Sequence, residues 1–323
     1  MSHETSSESD GETDTPHKLT VAERKAVADL EECGFTGIEK LQTGHFCLSV
    51  FKARLGTVSC AVKICAAKHS RWLANEAAIL AQLEHRYVVR ALDGYQLASS
   101  CRAYLTLELV HGVDILTLVA RQSDEISLAQ CSRPIRIVVR RTLKALAYVH
   151  SQGILHNDVK PDNVLVGCRE LSRVRNKTVV KLCDFGLASR EGADKDNVGS
   201  HGYVAPEKLF WAAKATRASD VFSFGMFFFA CCTGRMMFDV SPKKTWPNEL
   251  TLAKFERKLA ETLADIADAT KFGAARHAYL QLFSDDERAN AVMLHSTCMT
   301  SSDRWTTREL LLLPYFAKST ERV

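Results

Sequence analysis

The chain has 323 residues, 46% of them hydrophobic and 25% charged, with a formal net charge of +4. This allows a sizeable core in two lobes or subdomains, while the small positive balance gives no electrostatic case for nucleic acid as a partner. The eleven cysteines are odd in number, scattered and without zinc-finger spacing, which reads as reduced thiols rather than a disulfide framework.

No hydrophobic leader is expected, and the longest apolar run, VFSFGMFFFACC (221–232), is too short to cross a bilayer. A soluble intracellular protein with no membrane partner is expected, with cytoplasm and nucleus not distinguished. The first twenty residues, MSHETSSESDGETDTPHKLT, are acidic and nearly free of large apolar groups, and read as a disordered tail. Within it Ser7 and Ser9 each have an acidic residue three positions on.

From about 35 to 65, HFCLSVFKARL and TVSCAVKIC read as strands joined by a turn at LGT (55–57). SRWLANEAAILAQLEH (70–85) spaces its apolar residues as a helix does. YVVRALDGYQL (87–97) and AYLTLELV (103–110) are further strands, so the first lobe is strands plus one helix. Beyond Gly112 the pattern turns helical over 128–151, 219–233, 250–270, 273–283 and 306–313. Short strand-like pieces, ILHNDVK, NVLVG and TVVKLCDF, fall between the first two helices. RPIRIVVRRTLK (133–144), the most basic stretch, reads as a helix with one solvated face. A β-rich lobe joined to a helical lobe by a short connector leaves a cleft, a default position for a ligand.

HNDVKPDN (156–163) sets Asp158 and Asn163 five apart with Lys160 between them, and Asp184 follows in CDFG. Two carboxylates and an amide oxygen suit Mg²⁺, a hard cation, and nearby lysines would neutralise phosphate. An aspartate not bound to metal could orient a hydroxyl and accept its proton. This is a constellation for phosphoryl transfer.

HNDVKPDN resembles the protein-kinase catalytic loop, H-R-D-L-x-x-x-N. In order along the chain come AVK (61–63), a helical Glu76, HNDVKPDN, CDFG (183–186), GSHGYVAPE (199–207), DVFSFG (220–225) and DRWTTRELLLLPYF (303–316). The chain is thereby similar to the eukaryotic-type protein kinases over residues 35 to 317, in the serine/threonine branch. The resemblance implies an α+β bilobal fold, with a β-rich N-lobe over 35–110 and a mostly helical C-lobe over 111–317. It also implies ATP, Mg²⁺ and protein substrates with serine or threonine acceptors.

Residue by residue, the resemblance gives Lys63 the α- and β-phosphates, with Glu76 as its partner. Asp158 would be the catalytic base, Lys160 would stabilise the transferring group, and Asn163 and Asp184 would hold the metal. Leu107 would be the gatekeeper. The backbone of Glu108 and Val110 would meet adenine between Val50, Ala61 and Leu165, with Asp114 near the ribose. Glu207 would brace Arg304, Asp220 would steady the catalytic loop, and His156 and Cys183 would pack. Ser200 stands where the serine/threonine branch has a threonine.

Three departures mark the chain. LQTGHFCLSVF (41–51) has only Gly44 for the family's G-x-G-x-x-G-x-V, a loss expected to loosen ATP binding. Asn157 replaces the arginine that meets activation-loop phosphate in many kinases, so loop phosphorylation is expected to be dispensable, with Ser189 and the other loop hydroxyls except Ser200 replaceable by alanine. GCRELSRVRNKT (167–178) lengthens the link to CDFG as a basic surface hairpin. From the same residues a pseudokinase, acting as a binding or scaffolding module, is the alternative. A small-molecule phosphotransferase is disfavoured by the APE segment.

Overall fold

Helix α1 (Val21–Glu32) precedes the first strand, where the sequence reading placed no element. A reciprocal capping box starts it: the Thr20 N–H donates to Glu23 Oε2 at 2.8 Å, and Thr20 Oγ1 accepts from the Glu23 N–H at 3.2 Å. Thr20, read as the end of a tail, is therefore an N-cap. The computed structural model describes residues 19–43, 49–98, 102–121, 132–193, 199–238, 251–267 and 287–317. The expected tail through residue 18, the expected helix over 273–283 and Gly44 lie outside the described residues.

Five strands, β1 (Phe35–Thr43), β2 (Ser49–Leu55), β3 (Val58–Cys65), β4 (Ala91–Leu97) and β5 (Ala103–Glu108), form an antiparallel sheet in the order β1-β2-β3-β5-β4. The β2–β3 hairpin turns at Gly56, whose φ of +59° suits a residue without Cβ. Alternation along the strands puts Phe51, Ala53, Cys60, Val62 and Ile64 on one face, where Ala26 and Leu30 of α1 cover them. Ion pairs Lys40–Glu23 (2.8 Å) and Arg102–Asp29 (2.9 Å) flank this small core.

The opposite face packs on α2 (Ser70–Leu80), which ends five residues before the sequence reading had it. Residues 87–90 are not in the sheet either. Val89 N–H donates to Leu182 O at 2.9 Å and Leu182 N–H to Tyr87 O at 2.8 Å, so this stretch ties to the other lobe. Likewise β5 stops at Glu108, two residues short of the expected end, and the chain then crosses over as the connector.

After the connector come β6 (Val113–Asp114), α3 (Ile115–Ala120), α4 (Ser132–Ser151), β7 (Ile154–Leu155), β8 (Val164–Val166), β9 (Val180–Leu182) and β10 (Ser189–Arg190). Helices α5 (Pro206–Trp211), α6 (Arg217–Thr233), α7 (Leu252–Ala267), Glu287–Ser296 and Thr307–Leu310 complete the larger lobe. α6 is buried on all sides from Ser219 to Thr233, as its continuous apolar run requires. Gly112, where the connector enters this lobe, admits no side chain, because a Cβ there would lie 1.8 Å from Val166 O.

The loop between antiparallel β8 and β9 is the surface hairpin expected over most of its residues, but it is anchored to the lobe. Leu171 and Val174 are buried in the main core, and the Arg141 guanidinium of α4 donates to the carbonyls of Asn176 and Thr178. The helix expected over 306–313 is a single turn, Thr307–Leu310, started by Thr306 and Glu309 in a second capping box. No helix among the described residues is long and apolar enough to cross a membrane.

Candidate active site

The site forms where the sheet's inner face meets the loop after β7. Lys63 lies beside Val50 of β2 in the strand register, and Ala61 lies opposite Leu107 of β5. Lys63 Nζ donates to Glu76 Oε1 (2.7 Å) and Oε2 (2.9 Å) and to Asp184 Oδ1 (3.0 Å). Residues 13 and 121 positions apart in the chain are thus joined at one ammonium. Burial works against the charge on Lys63, but Asp184 and Glu76 outweigh it and hold the ammonium above the ordinary lysine value. Burial also pushes the Glu76 carboxyl up, with Asp184 adding to the shift and Lys63 opposing it. For Asp184 the attraction of Lys63 overcomes burial, and its carboxyl is held below the ordinary range.

Across the cleft, Asp158 is fixed from three sides. Oδ2 accepts from Lys160 Nζ at 2.9 Å and Asn163 Nδ2 at 3.0 Å, and Oδ1 accepts from the Ser200 N–H at 2.9 Å. Lys160 Nζ also donates to Ser200 Oγ at 2.5 Å. A cleft of about 310 Å³ opens here, lined among others by Trp72, Glu76, Asp158, Lys160, Asp184 and Ser200.

Asp220 of α6 holds the loop from below. Its carboxylate accepts from the backbone N–H groups of His156 (2.8 Å) and Asn157 (2.8 Å) and contacts His150 Nε2 at 2.9 Å. Despite complete burial, the His150 contact keeps the Asp220 carboxyl below its ordinary value. His156 is fully buried and packs edge-on against Phe185 with ring centroids 4.7 Å apart, so it is a packing residue, as expected. Burial raises the Cys183 thiol well above the ordinary value, which keeps it protonated and poorly nucleophilic. Glu207 and Arg304 form a two-pronged ion pair with both contacts at 2.7 Å.

Other expected residues lie on β5, the connector and the short strands of the larger lobe. Glu108 sits at the end of β5, where its N–H is spent on Arg90 O at 2.9 Å and its carboxylate on Lys181 at 2.6 Å. Asp114 is the N-cap of α3, and its two oxygens accept from the Thr117 N–H (2.8 Å) and Oγ1 (2.7 Å). Leu165 pairs with Asp114 across β6 and β8, and Val110 is half-buried in the connector. Ser189 is not an open loop hydroxyl. It is 6% exposed and its Oγ accepts from Asn157 Nδ2 at 2.9 Å.

The sequence reading missed Asn75, whose amide reaches the backbone after Asp184, and His150, which braces Asp220. Neither carries a local signal, because each acts on residues that only the fold brings near. Asn157 and Asp184 both have positive φ (+65° and +64°), a region that asparagine and aspartate tolerate better than most residues. Such strain clusters where the backbone must aim a side chain.

The family model for the protein kinase domain matches residues 35–316. The chain is a protein kinase family member. Among curated relatives, the ovarian-specific serine/threonine-protein kinase Lok of Drosophila melanogaster is 33% identical over 174 residues, covering 51% of this chain and 33% of that protein. CBL-interacting protein kinase 21 of Oryza sativa subsp. japonica is 30% identical over 183 residues, 55% of this chain and 32% of that one. A putative mitogen-activated protein kinase 14C of Drosophila melanogaster is 32% identical over 172 residues, 51% of this chain and 44% of that one. These matches span less than half the length of the relatives. The kinase fold carries with it ATP binding and the two-lobed α+β architecture described above.

Proposed function

We propose that this kinase is catalytically active and transfers the γ-phosphoryl group of ATP to serine or threonine hydroxyls of protein substrates. The observation that carries this is the closed Lys63–Glu76–Asp184 contact set facing an Asp158 whose two oxygens are already oriented. The Lys160–Ser200 contact and the names of the relatives support serine/threonine rather than tyrosine acceptors.

In this reading Lys63 binds the α- and β-phosphates. Adenine lies between Val50, Ala61 and Leu165, meeting the Glu108 carbonyl and the Val110 N–H. Asp114 reaches the ribose with the lone pairs that Thr117 leaves. Asp184 and Asn163 offer the oxygen donors that suit Mg²⁺, which when bound supplies positive charge to the phosphates. Asp158 accepts the acceptor's hydroxyl proton as its oxygen bonds to the γ-phosphorus and the bond to the ADP oxygen breaks. Lys160 stabilises the charge on the group in transit. The same reading divides the catalytic unit at 35–110 and 111–317, with residues 1–20 outside it.

The test is transfer from labelled ATP with Mg²⁺ to casein and myelin basic protein, followed by phosphoamino-acid analysis. Label on serine or threonine supports the reading. Label on tyrosine alone would overturn the acceptor assignment. Transfer no greater than that of an Asp158→Ala control would leave the scaffold reading in its place.

A further inference from the structure

Beside the connector lies a concentration of positive charge that phosphoryl transfer does not use. A cavity of about 490 Å³ opens there between Glu108–His111 of the connector, the end of the β8–β9 loop and Arg86–Tyr87. Arg86, Arg141, Lys177 and Lys181 line it, and Glu108 is the only carboxylate among its described lining residues. Lys181 already neutralises Glu108 at 2.6 Å. Arg141 is a fixed part of the wall: it is buried, it donates to the carbonyls of Asn176 and Thr178, and it lies 5.5 Å from the Tyr87 ring centroid. At the rim Arg86 lies 4.9 Å from the same ring centroid, and Arg86 and Lys177 are both exposed with no carboxylate partner among the described residues. The charges are close enough to act together. Burial, and then the field of Arg86, Lys181 and Lys144, hold the neighbouring His85 imidazole below its ordinary value.

We propose that this basic groove is the docking site for the chain's own acidic N-terminal segment, residues 4–14, whose carboxylates pair with Arg86 and Lys177 at the rim. The inference goes beyond the kinase reading and does not depend on it, because docking of the segment requires no phosphate transfer.

The segment supplies the charge that the groove lacks. Glu4, Glu8, Asp10, Glu12 and Asp14 fall within it, and no lysine or arginine precedes Lys18. It has almost no apolar surface to bury, so charge is its means of binding. Its reach follows from the register of the sheet. The Glu23 carboxylate accepts from the Thr20 N–H at 2.8 Å and from Lys40 Nζ at 2.8 Å, which sets the start of α1 beside Lys40. Lys40 pairs with Phe51, Phe51 with Val62 and Val62 with Thr106, a path of three strand spacings of roughly 4.8 Å each. Glu108 stands two residues further along β5, so the groove begins on the order of 20 Å from Thr20. The stretch from Asp14 to Thr20 covers about 20 Å when extended, so Asp14 reaches the rim and the preceding acids can follow it inward. A single exposed ion pair contributes little. Several together, on a segment tethered at about millimolar effective concentration, suffice to hold it there.

The test titrates a fluorescent synthetic peptide of residues 1–17 onto the full chain and follows its anisotropy. Three hosts are compared: wild type, a neutralised chain (Glu4→Gln, Glu8→Gln, Asp10→Asn, Glu12→Gln and Asp14→Asn), and the neutralised chain with Arg86→Glu and Lys177→Glu added. The peptide should bind the neutralised chain at least about tenfold more tightly than wild type, where the tethered segment competes with it. The two charge reversals should cancel that gain, and raising NaCl from about 0.05 M to about 0.5 M should weaken binding by about tenfold. Urea midpoints check that the reversed chain folds. Should it not, Lys177→Glu alone, at an exposed loop position, is expected to weaken binding by about threefold. Equal affinity for wild type and the neutralised chain would overturn docking of the chain's own segment and leave a groove open to an acidic segment of another protein. Equal affinity with and without the charge reversals, or no binding to any host, would overturn the groove as the site. None of these readouts involves phosphate transfer, so failure of the kinase reading would leave the test intact.

Discussion

Arg304→Ala should destabilise the large lobe by about 3–5 kcal/mol, the usual cost of stranding one partner of a buried ion pair. The side chain is fully buried, and each of its five N–H groups has an acceptor. Nη1 donates to Glu207 Oε1 (2.7 Å) and Ala218 O (3.0 Å), and Nη2 to Glu207 Oε2 (2.7 Å) and Met299 O (3.1 Å). Nε donates to Cys298 O at 2.7 Å, and the guanidinium lies 4.9 Å from the Phe222 ring centroid. Truncation therefore leaves a carboxylate at 14% exposure without its cation and removes the Arg304 donor from three carbonyls. Urea unfolding followed by tryptophan fluorescence would read the change, with Arg304→Lys beside it. Lysine should recover less than half of the loss, since a single ammonium cannot make the two parallel contacts. A cost below about 1 kcal/mol for Arg304→Ala would refute the reasoning, because it would put the pair in the range of a solvent-screened surface contact.

Gly112→Ala should cost about 3 kcal/mol or more, since backbone rather than a flexible side chain stands in the way, and soluble yield with urea midpoint would measure it. His156 has its pKa lowered from the usual 6.5 by burial. The unfolded chain then binds more protons than the folded one, so this contribution to stability is complete above about pH 6.5 and is lost as pH falls through the lowered folded value. Unfolding free energies measured at pH 7.5 and 5.5 should show the decline, and a smaller one in His156→Phe. Lys63→Ala should weaken MgATP binding by at least tenfold in calorimetry, because it removes a cation shared by Glu76 and Asp184 and leaves two carboxylates facing the phosphates.

Much of the candidate site was legible because its residues sit in short, ordered motifs. The fold brings Lys63, Glu76 and Asp184 to one ammonium, and Asp158, Lys160 and Asn163 to one carboxylate, as the motif order implied. What escaped was long-range in character. Asn75 looks like any polar residue on a helix, and its meaning lies in carbonyls 110 to 113 positions later. Tyr87 to Arg90 reads as strand by composition, yet Tyr87 and Val89 bond to Leu182 of the other lobe, while Arg90 bonds to Glu108 of β5. α1 did carry a local signal in Thr20 and Glu23, but only Ala26 and Leu30 form its buried apolar stripe, too sparse to stand out beside an acidic tail. Asn157 was legible as a lost charge. Its gain of two neutral hydrogen bonds to the segment was not.

The most direct measurement pairs binding with transfer. Wild type, Asp158→Ala and Asp184→Asn would be compared for MgATP affinity by calorimetry and for transfer of labelled γ-phosphate to an acceptor protein. The account predicts that wild type binds and transfers, that Asp158→Ala binds with near wild-type affinity but transfers at least a hundredfold more slowly, and that Asp184→Asn loses transfer together with the Mg²⁺ dependence of binding. Transfer by Asp158→Ala at the wild-type rate, or wild-type binding that is indifferent to Mg²⁺, would contradict it.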